Sequence, residues 1–192
     1  MPKKDDIQQS ILVVSASEQF NAHVKGAKVS YITFDVVKSV ALARRRLLER
    51  EYDLVVINAP LSDEVGEEFA LDAAERGSSC VLVAVPRDVY EEMADFVIDR
   101  GILVIPKPVG AAVVDRSLRF LAAMRAKMRG FEKKANAALE KAEEVRIVSK
   151  AKLVLMETKH MTEEEAHKYI GRQAMNNGVS RRRVAEAILD DL

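Results

Sequence analysis

The feature that most constrains the fold is a repeated alternation of short apolar runs with helical segments in the first 110 residues. Each apolar run is continuous, which is typical of a strand buried on both faces. The segment between two runs has helical spacing, with Val40, Ala43 and Leu47 on one face. Strands that alternate with helices predict a parallel, doubly wound α/β sheet. The predicted strands are 11–15, 28–34, 53–58, 80–85 and 102–106, and the predicted helices are 39–50, 67–77 and 88–100.

Charge is distributed unevenly along the chain, although the formal net charge is zero. Residues 1–110 carry 13 basic and 18 acidic side chains, residues 111–139 carry 7 and 2, and residues 140–192 carry 10 and 10. An acidic sheet domain is therefore followed by a strongly basic helical stretch.

Composition excludes several classes of protein. Cys80 is the only cysteine and lies in an apolar run, so a buried thiol is expected and a disulfide framework within the chain is excluded. Three widely separated histidines lack metal-ligand spacing, and we expect no metal or cofactor. No apolar run approaches the ~18 residues of a membrane span, and the start, MPKKDD, does not resemble a signal peptide. We expect a cytoplasmic protein without membrane association.

A long helix is predicted after the sheet, because residues 113–159 contain no proline and a single glycine, Gly130. A heptad pattern over 113–145 predicts a coiled coil and a parallel homodimer. The alternative, a helix packed only on its own domain, leaves most of its length uncovered. The apolar a and d positions form the predicted seam: Leu121, Met124, Met128, Phe131, Ala135, Ala138, Ala142 and Val145.

The last part of the chain, 146–192, predicts a small three-helix module, which the helical connector at 113–145 joins to the sheet domain at 1–112. The first helix ends near His160, and Thr162 with Glu165 forms a capping box for the second. Residues 176–178 read Asn-Asn-Gly and end the second helix, and Ser180 caps the third. Such short helices are not stable alone, so the three must pack on one another.

Three motifs in this module carry a family resemblance: A-K-x-x-L-M at 151–156, E-A-x-x-x-I at 165–170 and R-x-A-M at 172–175. The module resembles the ANTAR domain, a three-helix RNA-binding module of bacterial transcription antiterminators. The resemblance implies no catalysis, and it implies binding to hairpin RNA in mRNA leaders, so that a terminator cannot form. The stretch from Arg146 to Arg183 contains nine basic residues and four acidic ones.

The candidate RNA-binding residues lie off the predicted apolar faces. We expect Tyr169 either to stack a base or to seal the helix pair. We expect Arg172 to contact a base and Arg182 a phosphate. The alternative is a helical protein-interaction module, and a duplex-DNA reader is less favoured because the last helix is short. The candidates are Lys152, Lys168, Tyr169, Arg172, Arg181, Arg182 and Arg183.

The order of strands and helices before residue 112, together with Lys107-Pro108, is similar to a response-regulator receiver domain. A working receiver needs carboxylates for Mg²⁺ and an aspartate that accepts the phosphoryl group. Here the acidic pair is replaced by Ser15 and Ala16, and the phospho-accepting aspartate by Asn58. The remaining positions of the set are Ala84 and Val104, at the two switch positions, and Lys107.

The expected domain is therefore a pseudo-receiver, which docks and dimerises without phosphotransfer. Lys107 is expected to bond loop carbonyls or Asn58, and the resemblance implies a cis bond before Pro108. Glu18 and Asp63 lie near the expected pocket, but metal binding there is not favoured. A phosphorylatable regulator of unusual pattern is the alternative. Without phosphotransfer, we expect a partner protein, a ligand or the protein's own concentration to control the activity.

Overall fold

The structure is a computed structural model that describes residues 8–75 and 79–190. The chain divides after Gly130 into two compact units. The first contains a five-stranded parallel sheet of order β2-β1-β3-β4-β5 with helices on both faces, which confirms the predicted fold class. The elements are β1 Gln9–Val14, α1 Glu18–Lys25, β2 Tyr31–Val37, α2 Val40–Glu49, β3 Leu54–Asn58, α3 Glu67–Glu75, β4 Cys80–Val85, α4 Tyr90–Val97 with a 3₁₀ turn Ile98–Arg100, β5 Leu103–Pro106, α5 Ala111–Lys159, α6 Glu163–Asn177 and α7 Arg181–Asp190.

Two apolar layers, one on each face of the sheet, form the core of the first unit. Alternate side chains of a strand point to opposite faces, so Leu12 and Val14 belong to the layer under α2, α3 and α4. Ile11 and Val13 belong to the layer under α1 and the start of α5. Both layers are apolar, which is why the strands appear in the sequence as continuous apolar runs. Cys80 is buried in the second layer, as expected, and burial raises the pKa of its thiol.

Two elements differ from the sequence prediction. Helix α1 was not predicted, because its short, largely polar sequence buries only Phe20 and Val24. Strand β2 runs over Tyr31–Val37 instead of 28–34. Asp35 interrupts the apolar run but lies within the strand, because its carboxylate accepts a hydrogen bond of 2.6 Å from the Tyr52 hydroxyl. The helix predicted after the third strand ends at Gly77, which lies outside the described residues.

The first turns of α5 belong to the sheet domain. Val114, Leu118 and Leu121 are buried in the second apolar layer, and this burial extends the compact unit past the predicted boundary at residue 112. Leu121, the first residue of the predicted seam, is only 4% exposed. The exposed part of that seam therefore begins at Met124.

Asp53 forms a buried polar cluster with Ser10, Arg125 and Arg129, which joins the sheet to α5. One carboxylate oxygen of Asp53 accepts hydrogen bonds from the backbone amide and hydroxyl of Ser10 at 2.8 and 2.9 Å. The other accepts from Arg125 Nε at 3.3 Å and from Arg129. Asp53 and Arg125 are both buried. The cluster fixes the entry to β3 and the start of β1 against α5 at Arg125 and Arg129.

The second unit has a core of its own, formed by the end of α5 with α6 and α7. Leu155 from α5, Ile170 from α6 and Ala185 from α7 are buried in it. The capping box of Thr162 and Glu165 is present, as predicted. Gly178 ends α6 with φ of 63°, the left-handed conformation that glycine adopts without strain.

Within residues 8–75 and 79–190, no helix combines the length and hydropathy that a membrane crossing requires.

Replacing Asp53 tests the buried cluster. In Asp53→Ala, Arg125 keeps its buried charge but loses a carboxylate partner, and the Ser10 amide loses its acceptor. We expect the free energy of unfolding to fall by roughly 3–5 kcal/mol in urea titrations. Asp72→Ala is the matched control, because the Arg44–Asp72 pair is more than a third exposed and should contribute at most about 1 kcal/mol. Equal losses in the two variants would contradict a special role for Asp53.

Candidate functional site

Two regions hold the candidate functional residues, and the first is the carboxyl edge of the sheet. Ser15 follows β1, Asn58 ends β3 and Lys107 follows β5. Ala84 pairs in register with Asn58 on the neighbouring strand. Parallel strands thus bring the predicted pocket residues to one edge, where α/β sheets bind ligands.

A neutral hydrogen-bond pair occupies the centre of this pocket. Asn58 donates from Nδ2 to Ser15 Oγ at 3.0 Å, and the Ser17 backbone amide donates to the same oxygen at 3.1 Å. Ser15 is fully buried, whereas Ala16 is exposed. Ser15 Oγ thus accepts two hydrogen bonds from neutral donors.

Lys107 donates from its ammonium group to the Ala59 carbonyl, so it bonds a loop carbonyl as expected. Partial burial lowers the pKa of Lys107, because the charged form loses solvation. The Lys107–Pro108 peptide bond is cis, as the receiver resemblance implied, and Ala59–Pro60 is cis as well. Ala84 and Val104, at the two switch positions, are buried.

The donor set of this pocket does not fit the Mg²⁺ ion that a receiver fold takes up. Among residues 8–75 and 79–190, no carboxylate lines the cavity at this edge. The Asp63 carboxylate accepts hydrogen bonds of 3.1 Å from the amides of Val40 and Ala41, which lower its pKa, and so caps α2. Glu18 is exposed in the first turn of α1. Among the described residues, no group of three or more His, Cys, Asp or Glu side chains could hold a metal ion.

The second region is the three-helix unit, where three predicted RNA-binding residues form ion pairs. Lys152 bonds Glu163 at 2.6 Å, and only 18% of its side chain is exposed. Lys168 bonds Glu164 at 2.6 Å, one turn away on α6. Arg182 bonds Glu186 at 2.7 Å on α7, and this bond raises the pKa of the guanidinium. Much of the positive charge counted in the sequence is thus balanced by neighbouring glutamates.

Tyr169 lies at a groove between α6 and α7. Its ring is half-buried against the core, and the ammonium of Lys159 lies 5.1 Å from the ring centroid. The structure therefore supports the sealing role of Tyr169, while part of the ring still lines a cavity of about 380 Å³. Arg183, Gln173 and Asn177 line the same cavity.

Sequence reasoning did not identify Gln173 and Asn177 as candidates. Asn177 was interpreted only as the end of the helix. The available signal for Gln173 was its spacing, four residues after Tyr169, which places both on one face of α6. These amides add donors and acceptors beside an aromatic ring.

Arg172 and Arg181 are exposed, and the described residues give neither of them an ion-pair partner. A Cβ atom at Gly171 would lie 3.8 Å from the Arg181 guanidinium, so Arg181 crosses α6 at that glycine. Arg183 instead lines the cavity beside Tyr169.

The predicted dimer seam is solvent-exposed beyond Leu121. Met124, Met128 and Phe131 are large apolar side chains on the surface of α5, and Phe131 is 59% exposed. Val145 is exposed to the same extent, and Ala135, Ala138 and Ala142 are also exposed.

Comparison with protein families assigns the second region. Residues 136–189, just over a quarter of the chain, match the family model of the ANTAR domain. A comparison with curated proteins found no match.

Comparison with solved structures assigns the first region. The signal receiver domain of an HD domain-containing protein from Pseudomonas fluorescens Pf-5 is 18% identical, with a TM-score of 0.53 over 64% of this chain and 93% of that one. A CheY-like receiver domain protein from Methanospirillum hungatei JF-1 is 15% identical, with a TM-score of 0.54 over 63% and 98%. NtrX from Brucella abortus is 17% identical, with a TM-score of 0.56 over 66% of this chain and 29% of that one.

At these identities the structural similarity establishes the fold alone. The chain combines a receiver-like N-terminal domain with an ANTAR domain, and both resemblances seen in the sequence are confirmed.

The pocket geometry predicts that the protein does not react with phosphodonors. Incubation with acetyl phosphate and Mg²⁺ should leave the intact mass unchanged, because Asn58 is a poor nucleophile and no carboxylate lines the cavity. Asn58→Asp alone should not restore labelling, since it supplies only one carboxylate. A receiver domain with its acidic site intact is the positive control. A stable phosphoryl adduct that disappears in Asn58→Ala would contradict this prediction.

Proposed function

We propose that the protein is a dimeric, RNA-binding transcription antitermination regulator that stabilises antiterminator hairpins in nascent transcripts. The observation that carries the proposal is the ANTAR domain match over residues 136–189. The protein would perform no catalysis and would act in the cytoplasm, where the bound RNA changes the outcome of transcription. Aspartyl phosphorylation would not control it, since the pocket lacks the required carboxylates.

The groove between α6 and α7 supports recognition of an unpaired base. Proteins that read RNA loops stack splayed bases on aromatic rings and contact the base edges through polar groups. The half-buried ring of Tyr169 lines one cavity together with Gln173 and Asn177, whose amides offer donors and acceptors. Arg183 lines the same cavity and could contact either the base or its phosphate.

The exposed arginines support a separate contact with the RNA backbone. This proposal differs from the base contact expected for Arg172 and the phosphate contact expected for Arg182, because Arg183 lines the groove and Arg182 is paired with Glu186. Arg172 and Arg181 are exposed and need not exchange an existing ion pair to bind a phosphate. To bind a phosphate, Lys152, Lys168 and Arg182 would each have to break an ion pair with a glutamate. We therefore propose that these three contribute less to affinity than Arg172, Arg181 and Arg183.

The apolar surface of α5 supports dimer formation through the coiled-coil seam. A row of exposed large apolar side chains on a monomer marks an interaction surface. Met124, Met128 and Phe131 occupy successive heptad positions, and a second copy of α5 would bury them. The alanines that follow bury little area, so the seam would be strongest at this end.

Charged substitutions in the seam test the dimer. The double variant Met128→Glu, Phe131→Glu should be monomeric in sedimentation experiments, because a dimer would bury unpaired charge at a cost of several kcal/mol. Both side chains are exposed in the monomer, so its fold should be retained. Lys133→Glu, at the outward heptad position of the same helix, is the matched control and should stay dimeric. An unchanged dimer in the double variant would place the interface elsewhere.

Arginine-to-alanine variants test RNA binding. The full chain is titrated with fluorescent tandem hairpins, and with versions whose loops are scrambled, at several salt concentrations. Loss of a phosphate contact at Arg172 or Arg181 should flatten the log–log salt dependence by about 0.7 to 0.9 per charge. Loss of a base contact at Arg183 should cost ~1–3 kcal/mol and depend on the loop sequence.

The controls separate a specific site from general positive charge. Arg146→Ala removes an exposed arginine that pairs with Glu143 in the same domain, and should change binding little. Equal affinity for intact and scrambled loops would contradict the antitermination function. Absence of binding in a folded dimer would instead favour a helical protein-interaction module.

A further inference from the structure

The degenerate phosphorylation pocket is an open cavity of about 610 Å³ at the carboxyl edge of the sheet. It is lined by the start of α1, the end of β3 and the loops that follow β4 and β5. Cavities of roughly 300–1,000 Å³ are the usual size of small-molecule sites. Loss of the phosphorylation chemistry has therefore not been accompanied by filling of the space.

The charge of the cavity is opposite to that of a working receiver pocket. Arg87, Lys107 and His23 line it, and its described lining contains no aspartate or glutamate. Arg87 is exposed and has no ion-pair partner among the described residues. Basic groups that converge without an acidic partner favour an anion.

One group in the lining would be stabilised by a bound anion. The Lys107 ammonium donates to the Ala59 carbonyl, and its partial burial lowers its pKa, which an anion in the cavity would oppose.

Part of the cavity wall is apolar. Phe20, Pro86, Pro108 and Val109 contribute to this part. A bare inorganic ion would contact the basic groups and leave this wall in water. An organic body attached to the anion would cover this wall and would be stabilised by the removal of apolar surface from water.

We propose that this cavity binds a small organic oxyanion non-covalently, with its charged group held by Lys107 and Arg87 and its body against Phe20 and Pro108. The inference goes beyond RNA binding and does not require it. The oxyanion could be a phosphate or a carboxylate, since both accept hydrogen bonds from arginine, lysine and amide groups. Binding of such a ligand would give the domain an input that does not involve phosphotransfer.

Calorimetric titration of the full chain without RNA, combined with amide chemical-shift mapping, tests the proposal. The probes are phenyl phosphate, benzoate, inorganic phosphate and, as a neutral control, benzyl alcohol. We expect saturable binding of phenyl phosphate or benzoate, with shifts centred on Ser17, Asn58 and Lys107. The better of the two probes identifies the preferred oxyanion. Inorganic phosphate should bind more weakly, because it leaves the apolar wall uncovered.

Substitutions assign the binding to the named side chains. Arg87→Ala removes an exposed guanidinium, so the fold should be kept, and Lys107→Met removes a charge while it retains the aliphatic stem. Each should weaken binding roughly tenfold or more, since a charge-assisted hydrogen bond is lost. Arg45→Ala, an exposed arginine on α2, is the matched control and should not change the affinity.

Three results would overturn the proposal. They are no saturation by either organic anion, equal binding of benzyl alcohol, or unchanged affinity in both Arg87→Ala and Lys107→Met. Shifts confined to α6 and α7 would likewise show that the anions bind the ANTAR domain and not this cavity. Because RNA is absent from the experiment, failure here leaves the proposed RNA binding untouched.

Discussion

The buried carboxylate of Asp53 is the constraint on which the arrangement of the sheet domain depends. A charge removed from water must be fully hydrogen-bonded, and Asp53 meets this demand with Ser10 on β1 and with Arg125 and Arg129 on α5. Its backbone also accepts a hydrogen bond from the Cys80 amide at the start of β4. Apolar layers alone would let α5 slide or rotate on the sheet. The ionic cluster defines one position for the helix, and the apolar contacts of Leu118 then stabilise that position.

Local rules predicted the elements that depend on local causes. Short-range stereochemistry predicts the capping box at Thr162 and the left-handed Gly178, and the pattern of apolar residues predicts the buried strands. The structure contains all of them. The Asp53 cluster could not be predicted in this way, because Asp53 and Arg125 are 72 positions apart and no pattern links them. Helix α1 was not predicted from the sequence for a related reason: tertiary burial of Phe20 stabilises a segment whose sequence is only weakly amphipathic.

The candidate sites likewise contain residues that a sequence pattern identifies and residues that only the fold brings together. The sequence identified Ser15, Asn58 and Lys107, because a family pattern assigns a role to each position. It did not identify His23 or Arg87, because neither position belongs to that pattern and only the folded edge of the sheet brings them to the same cavity. Serine, alanine and asparagine stand at Ser15, Ala16 and Asn58, where the receiver pattern has carboxylates. Lys107 therefore lacks the negative charge that would otherwise balance it, and on our proposal the same scaffold attracts anions.

The ANTAR domain illustrates why counting charges overstates an RNA-binding surface. Three glutamates at the start of α6 stabilise that helix through its dipole, and two of them, Glu163 and Glu164, also neutralise Lys152 and Lys168. The helix therefore gains stability at the expense of general attraction for phosphate. With the long-range electrostatic attraction weakened in this way, the proposed RNA binding would depend on short-range contacts at the α6–α7 groove. Tyr169 and Arg183 would provide an aromatic ring and a planar donor there, and each contact would require a base or phosphate at a defined position.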